Sequence, residues 1–187
     1  MVSDMYFLLV GNSRLHWAKY SKNKSKFFDT KKEQKVPKNI DLDKLIWASV
    51  GKPPNFLLKK ENEIKTKHIQ LSNLPDYFGV DRALACIAAL KIIENPFKKD
   101  LLVADFGTIL SITKLNSNGS IIGGQLLPGF LTQLKSIEQN TKNLKIPKKY
   151  DIPIKDFLIN TEEAILKGVI SSLSGVINSL FLSLIHI

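Results

Sequence analysis

The most informative part of the chain is a pair of glycine-containing segments in its second half. Residues 101–108 read LLVADFGT, and after a polar turn residues 123–129 read GGQLLPG. An apolar run that closes on Asp105, followed by Gly107-Thr108, a second strand pattern and a glycine pair, predicts a β-hairpin. We expect its ends to present one carboxylate, one hydroxyl and several backbone N–H groups, a set that suits phosphate or another anion.

Charge and composition narrow the function classes. The 187 residues carry a formal net charge of +10, nearly all of it from lysines that are spread along the chain. Arginine, the better residue for bidentate anion contacts, occurs only at Arg14 and Arg82. We therefore interpret the lysines as solvated surface and keep nucleic-acid binding only as a weak alternative.

Targeting and redox signals are absent from the sequence. No uninterrupted apolar run approaches the ~20 residues that span a bilayer, so no membrane partner is expected. The N-terminus lacks the pattern of a secretory signal. The single Cys86 cannot form an intramolecular disulfide. These features predict a cytoplasmic protein.

Hydrophobic periodicity predicts an α/β protein. Strand patterns cover residues 6–10, 15–18, 45–50, 64–71 and 101–105, and helical patterns cover 80–94, about 129–139 and the segment from Thr161. The Lys-Lys-Asp joint at 98–100 divides the chain into predicted domains 1–98 and 99–187. The chain ends within the last helical pattern without a C-cap signal, which predicts that the second domain is incomplete at its C-terminus.

Four blocks stand in order along the chain: Gly11-Asn12-Ser13, Gly79-Val80-Asp81-Arg82, Asp105-Phe106-Gly107-Thr108 with Gly123-Gly124, and Asn160-Thr161. Together they resemble the type III pantothenate kinases of the acetate and sugar kinase/actin-like superfamily. The resemblance covers nearly the whole chain. The second and third blocks, at this spacing, are specific to that family, whereas Gly-Asn-Ser alone is a weak signal. No Gly-x-x-x-x-Gly-Lys-Ser/Thr loop is present, which excludes a P-loop kinase.

The resemblance implies two ribonuclease H-like lobes with ATP between them. It implies transfer of the γ-phosphoryl group to the hydroxyl of pantothenate, the first step of coenzyme A synthesis. It also implies Mg²⁺ and a monovalent cation, K⁺ or NH₄⁺, as cofactors, and a homodimer. A related branch that resembles the Bvg accessory factors shares the fold and is associated with transcriptional activation, so a non-catalytic regulator or ligand-binding protein is the alternative.

The resemblance assigns roles to single residues. Asp81 matches the catalytic base, at a helix start that favours a carboxylate, although a plain N-cap aspartate has the same sequence pattern. Arg82 would hold the substrate carboxylate or a phosphate. Thr161 matches a pantothenate contact, and a helix N-cap explains it almost as well. Gly79 and Val80 complete the substrate set.

The remaining matches concern the nucleotide. Gly11, Asn12, Ser13 and Arg14 fit the phosphate-binding turn. A second set would line the same site: Thr108, Gly123 and Gly124. Asp105 matches the cation position, and its alternative role is a strand-end carboxylate bonded within the hairpin. The chain departs from the family pattern at Leu9, where aspartate is usual. The small residues of helix 80–94 fit either a dimer interface or internal packing.

Overall fold

The computed structural model describes residues 4–32, 36–37, 40–57, 61–94 and 99–185. The chain forms two compact units, Met1–Pro96 with Asn118–Ile121 and Phe97–Ser117 with Ile122–Ile187. Each unit combines a β-sheet with helix, which gives the α/β class that the sequence predicts.

The first unit is built on a four-stranded sheet. Its strands in chain order are β1 (Met5–Val10), β2 (Arg14–Ser21), β3 (Lys24–Lys31) and β4 (Leu45–Ser49). Their spatial order is β3-β2-β1-β4. The first three strands pair antiparallel, and β4 pairs parallel to β1. Helix α1 (Val80–Ile92) follows two short 3-10 helices, Asn55–Leu57 and Thr66–His68.

One face of this sheet holds the core of the first unit. Period-two alternation directs the same side chains inward from neighbouring strands, and the buried residues are Leu8, Val10, Leu15, Trp17, Leu45, Trp47 and Leu57. Both tryptophans, Trp17 and Trp47, are buried. The indole N–H of Trp17 donates to Thr30 Oγ1 at 2.9 Å, so its polar atom is satisfied despite burial.

Helix α1 buries one face, which includes two of its small residues. Val80, Ala83 and Cys86 are buried and recur at a spacing of three residues, which places them on one helix face. Of the two uses predicted for this stripe, internal packing therefore accounts for these three residues.

The second unit contains a three-stranded sheet in the order β5-β6-β7. The strands are β5 (Leu101–Phe106), β6 (Ile109–Leu115) and β7 (Ile121–Pro128), followed by α2 (Phe130–Asn140) and α3 (Thr161–Ile185). Its core joins Leu110 and Ile112 of β6 to Leu134 of α2 and to Val169 and Leu173 of α3. The two α3 residues are four apart, as expected for a helix with one buried stripe.

The length and apolar composition of helix α3 are relevant to the sequence-based expectation that the protein has no membrane partner. By length and composition Thr161–Leu184 could cross a membrane, because an 18-residue stretch of it has a mean hydropathy of 1.6, and 17% of that stretch is buried. Serine, asparagine and glycine interrupt its apolar residues, so it contains no long uninterrupted apolar run. One such helix is weak evidence for a membrane span.

Candidate functional site

The start of α1 carries the predicted catalytic carboxylate. Gly79 is the N-cap of the helix, and Asp81 lies in its first turn. The backbone N–H of Arg82 donates to Asp81 Oδ1 at 2.8 Å. A Cβ added at Gly79 would lie 2.6 Å from that same oxygen. The carboxylate therefore folds back over Gly79, and the alternative role of Asp81 as the N-cap is wrong.

Arg82 is held against an aromatic ring. Its guanidinium carbon lies 4.1 Å from the centroid of the Phe78 ring, a cation–π contact. Phe78 is itself anchored, because its N–H donates to Pro75 O at 3.0 Å and its carbonyl accepts from Thr66 Oγ1 at 2.7 Å. The segment before α1 is thus fixed from both sides, and the Arg82 side chain is held at a defined position.

A cleft of about 480 Å³ opens beside the helix start. Two of the predicted substrate residues, Gly79 and Val80, line it, whereas Asp81 and Arg82 are not among the lining residues. Lys65 and Lys67 bring positive charge to its wall, and Lys65 pairs with Glu63 at 3.0 Å. The rest of the wall comes from Ser49, Val50, Glu63, Ile64, Thr66, Asp76, Tyr77 and Phe78. The wall thus carries two lysines and two carboxylates, and because Lys65 pairs with Glu63, Lys67 is the lysine available to an anionic group.

The predicted phosphate turn joins β1 to β2. The N–H of Gly11 donates to Arg14 O at 3.0 Å, which closes the turn and leaves Asn12 and Ser13 exposed at its tip. The N–H of Val50 donates to Val10 O at 3.0 Å, and Val50 also lines the cleft beside α1. Within the first unit, Val50 therefore links the base of this turn to that cleft.

Arg14 does not stand alone at the turn. Asp29 on β3 faces it, with Arg14 Nη1 and Asp29 Oδ2 at 3.7 Å. The other carboxylate oxygen of Asp29 lies 2.9 Å from Nδ1 of His16. Neither His16 nor Asp29 belongs to any of the four sequence blocks. Only the β2–β3 register, which pairs His16 directly with Asp29, brings the two together.

In the second unit, Gly107 and Thr108 form the turn between β5 and β6. The N–H of Gly107 donates to Ile109 O at 3.1 Å. Thr108 O accepts from the N–H of Gly129 at 2.9 Å and from Thr132 Oγ1 at 2.6 Å. A Cβ at Gly129 would lie 2.0 Å from Gly107 O, so only glycine fits against this turn. Asp105 lies partly buried near the end of β5.

The glycine pair lies inside a strand. Gly123 and Gly124 are exposed residues of β7, and Gly123 has a φ of 155°, a conformation that favours glycine. The polar residues 116–120 form the turn that the sequence predicts between the two strands. Strand β7 begins at Ile121, so the glycine pair lies within the returning strand.

Thr161 is the first residue of α3 and is exposed. The cap belongs to the preceding residue, since Asn160 Oδ1 accepts the N–H of Glu163 at 3.0 Å. The alternative role of Thr161 as the helix N-cap is therefore wrong.

The donor set for a metal is small. Within the part of the chain that the structure describes, no group of three or more His, Cys, Asp or Glu side chains could hold an ion. One carboxylate per ion fits Mg²⁺ that arrives with nucleotide phosphates, because Mg²⁺ keeps several waters and uses few protein ligands. A single carboxylate does not fit a metal site that is built from protein ligands alone.

Comparison with known proteins identifies first the fold and then the family. A structure from Campylobacter jejuni that is assigned to the Baf family of transcriptional activators matches with a TM-score of 0.62 and 20% identity, covering 94% of this chain and 78% of that one. At this identity the likeness shows the fold alone, and it extends over almost the whole chain.

The type III pantothenate kinase family model matches residues 36–182. A type III pantothenate kinase of Synechocystis sp. is 30% identical over 187 aligned residues, covering 92% of this chain and 68% of that protein. One from Chromobacterium violaceum is 36% identical over 99 residues, covering 53% of this chain and 39% of that protein. The chain belongs to the type III pantothenate kinase family. Its function class is the ATP-dependent phosphorylation of pantothenate in coenzyme A synthesis.

Proposed function

We propose that this chain itself carries out the phosphoryl transfer and that Asp81 is its general base. The observation that supports this role is the carboxylate held at the start of α1, directly over Gly79. Phosphoryl transfer needs a group that accepts the hydroxyl proton of the acceptor as the new P–O bond forms. A carboxylate at the positive end of a helix dipole is suited to that task.

We further propose that pantothenate binds in the cleft beside α1. Gly79 and Val80 line this cleft, and Lys67 in its wall could pair with the carboxylate that pantothenate carries. Arg82, which the Phe78 ring holds in place, would contact that carboxylate. Thr161 completes the proposed substrate set.

Two groups of residues are proposed as nucleotide contacts. Gly11, Asn12, Ser13 and Arg14 would receive phosphates, because a glycine-containing turn that carries a guanidinium attracts anions. Thr108, Gly123 and Gly124 are proposed as further phosphate or nucleotide contacts. Mg²⁺ would enter with ATP, and when bound it would neutralise charge on the phosphate oxygens.

Asp105 is proposed as a ligand of K⁺ or NH₄⁺. Oxygen donors at a strand end suit such a weakly held cation. We expect pantothenate phosphorylation to be faster in KCl than in NaCl, and we expect Asp105→Asn to reduce that difference. Equal rates in the two salts for the unchanged chain would contradict this assignment and leave Asp105 with a structural role.

The wider assembly is also a proposal. We propose that each unit is a ribonuclease H-like lobe, that two copies pair as a homodimer, and that the protein acts in the cytoplasm. Incompleteness of the second lobe stays a prediction. Sedimentation analysis of the purified chain tests the dimer. The Campylobacter likeness shows fold alone, so it does not favour the regulatory alternative.

The central test compares Asp81→Asn with the unchanged chain in a coupled assay of pantothenate phosphorylation. Loss of a general base lowers turnover by about 10²- to 10⁴-fold, and we expect a decrease in that range. Asp41→Asn is the matched control, because it removes an exposed carboxylate from a loop of the same unit. An unchanged turnover in Asp81→Asn would show that Asp81 is not the base, and a chain that never phosphorylates pantothenate would refute the proposed activity.

Gly79→Ala adds a steric test of the same assignment. The new Cβ would meet only the end of the Asp81 side chain, at 2.6 Å, and the backbone φ of −59° suits alanine. The fold should therefore persist while the carboxylate is displaced. We expect turnover to fall by about tenfold or more, as misplacement of a reacting group does, with an unchanged thermal midpoint.

A further inference from the structure

Three charged or polar side chains converge on one face of the first sheet, beside the turn between β1 and β2. Arg14 and His16 lie two residues apart on β2, so they point to the same face. Asp29 lies directly opposite His16 on β3. Its two carboxylate oxygens meet different partners, with Oδ1 at 2.9 Å from His16 Nδ1 and Oδ2 at 3.7 Å from Arg14 Nη1.

The contact with Asp29 sets the orientation of the imidazole. A carboxylate accepts hydrogen bonds and cannot donate one when ionised, so Nδ1 of His16 carries the proton that is shared with Asp29. The opposite edge of the ring then faces the turn. Nε2 and Cδ2 of His16 lie 3.1 and 3.3 Å from the position that a Cβ on Gly11 would occupy. The ring is thus placed between the Asp29 carboxylate and the first residue of the turn.

This arrangement adds little to global stability. The His16 and Asp29 side chains are 47% and 44% exposed, and ion pairs with that exposure are largely screened by solvent. Its local effect is larger, because Gly11 is the residue whose N–H closes the turn on Arg14 O. A displaced ring would leave the backbone of Gly11 without its neighbour on this side.

We propose that His16 is a positioning residue for nucleotide phosphates: held by Asp29, it keeps Gly11 and Arg14 in the geometry that receives them. This rests on the proposed function, in which the turn of Gly11 to Arg14 binds ATP. A phosphate-binding turn depends on the direction of its N–H groups. His16 therefore acts on the affinity for ATP and does not take part in the chemical step.

The test is a steady-state comparison of the full chain with His16→Ala. We expect the KM for ATP to rise about tenfold, the order of effect of a small misplacement of a binding group, with kcat and the KM for pantothenate within about twofold of the unchanged chain. His16→Asn keeps a side-chain N–H that can donate to Asp29 but lacks the ring edge beside Gly11. Because the contact with Asp29 is kept, we expect His16→Asn to recover part of the ATP affinity that His16→Ala loses.

A double variant separates positioning from simple loss of stability. If His16 acts through its contact with Asp29, His16→Ala combined with Asp29→Ala should raise the KM for ATP no further than Asp29→Ala alone. Asp4→Asn is the matched control, since it breaks the Lys19–Asp4 pair at the opposite end of the same hairpin. We expect it to leave the KM for ATP unchanged. Multiplied effects of the two single variants would contradict the inference.

The remaining outcomes distinguish this inference from the proposed function. The positioning role is overturned, and the activity left intact, if the chain is an active kinase and His16→Ala does not change its KM for ATP. If His16→Ala fails to fold, the same conclusion follows from an unchanged KM for ATP in both His16→Asn and Asp29→Ala. A chain without pantothenate turnover overturns the activity, and calorimetric titration with MgATP alone then decides the positioning role. The positioning role is overturned if the unchanged chain and His16→Ala bind MgATP with equal affinity. It is also overturned if the unchanged chain does not bind MgATP.

Discussion

The two glycine turns at the ends of β1 and β5 have similar sequences but different supports. At the first, side chains from β2 and β3 surround the backbone, with His16 beside Gly11 and Asp29 holding His16. At the second turn, the support comes from the backbone of the residue before α2, because Gly129 donates its N–H to Thr108 O and lies against Gly107.

This difference predicts how each turn tolerates change. A side chain that is half exposed can move by a few tenths of an ångström at low cost, whereas a carbonyl packed against a helix start cannot move without its strand. The first turn should therefore be adjustable and affect ligand affinity. The second should be rigid, and changes there should affect folding of the second unit.

Gly129→Ala should have the largest effect. Its Cβ would lie 2.0 Å from Gly107 O and 2.9 Å from Thr108 O, both backbone atoms, so the turn or the helix must shift. We expect a loss of about 3 kcal/mol in the free energy of unfolding, the upper part of the range for overpacking, measured by urea denaturation. Gly175→Ala is the control, because nothing lies within 4 Å of its Cβ in α3. It should stabilise the chain by up to about 1 kcal/mol.

Gly11→Ala should have an intermediate effect. Its Cβ would lie 3.1 Å from His16 Nε2 and 3.2 Å from Arg14 O, which requires a small shift of the ring and of the turn. We expect a loss of about 1–2 kcal/mol together with weaker binding of MgATP in a calorimetric titration. Gly51→Ala, where nothing lies within 4 Å, should change neither quantity. A loss in Gly11→Ala as large as that in Gly129→Ala would remove the contrast between the turns.

Thr132→Val tests one hydrogen bond of the second turn. It removes the donor to Thr108 O, a bond of 2.6 Å, while Gly129 N–H still donates to that carbonyl. We expect the free energy of unfolding to fall by about 1 kcal/mol, the net value of a typical hydrogen bond. The valine has nearly the same volume, so a loss near that of Gly129→Ala would mean that Thr132 contributes mainly through packing.

The smallest effect should come from the Lys19–Asp4 pair, at the end of the β1–β2 hairpin opposite the first turn. The hydrogen bond from Lys19 is the main cause that lowers the pKa of Asp4, and the same bond raises the pKa of Lys19. A lowered carboxylate pKa contributes stability above the unfolded-state value, which is lost as pH falls through the folded-state value. A raised lysine pKa contributes stability below its unfolded-state value, which is lost as pH rises through the folded-state value.

The difference in thermal midpoint between the unchanged chain and Asp4→Asn should therefore be small at neutral pH and should vanish in acid. Thermal scans between neutral and strongly acid pH measure it. A difference that persists when Asp4 is protonated would show that the pair acts by packing and not by charge.

Much of the fold follows from local patterns. The apolar runs predict β1, β4 and β5, and the helical periodicity predicts α1 from Val80 and α3 from Thr161. Strand β3 is not predicted from the sequence, because its exposed, lysine-rich residues lack an apolar pattern. It forms because Lys22 and Asn23 adopt positive φ values of 49° and 60° and close a tight turn.

The strand predicted over 64–71 is wrong for a related reason. Ile64 is an apolar residue of strand type, yet the chain turns into the 3-10 helix Thr66–His68 immediately after it. Among the described residues of this segment, pairing with the sheet is limited to an isolated bridge between Glu63 and Trp47, in which Ile64 N–H donates to Trp47 O at 2.7 Å and Trp47 N–H donates to Asn62 O at 3.2 Å. Local hydrogen bonds within the segment, including that of Lys65 N–H to His68 Nδ1 at 3.2 Å, replace the ladder that the pattern suggested.

Motif spacing in the chain was enough to predict the family and several of its strands and helices, because residue types and periodicity are local properties. The residues that contact each motif in the folded chain could not be predicted in the same way. Asp29 lies 13 residues from His16, and Gly129 lies 22 positions beyond Gly107, the residue it packs against. Strand register and helix packing create those contacts from the summed burial of many side chains, so they exist only once each unit has folded.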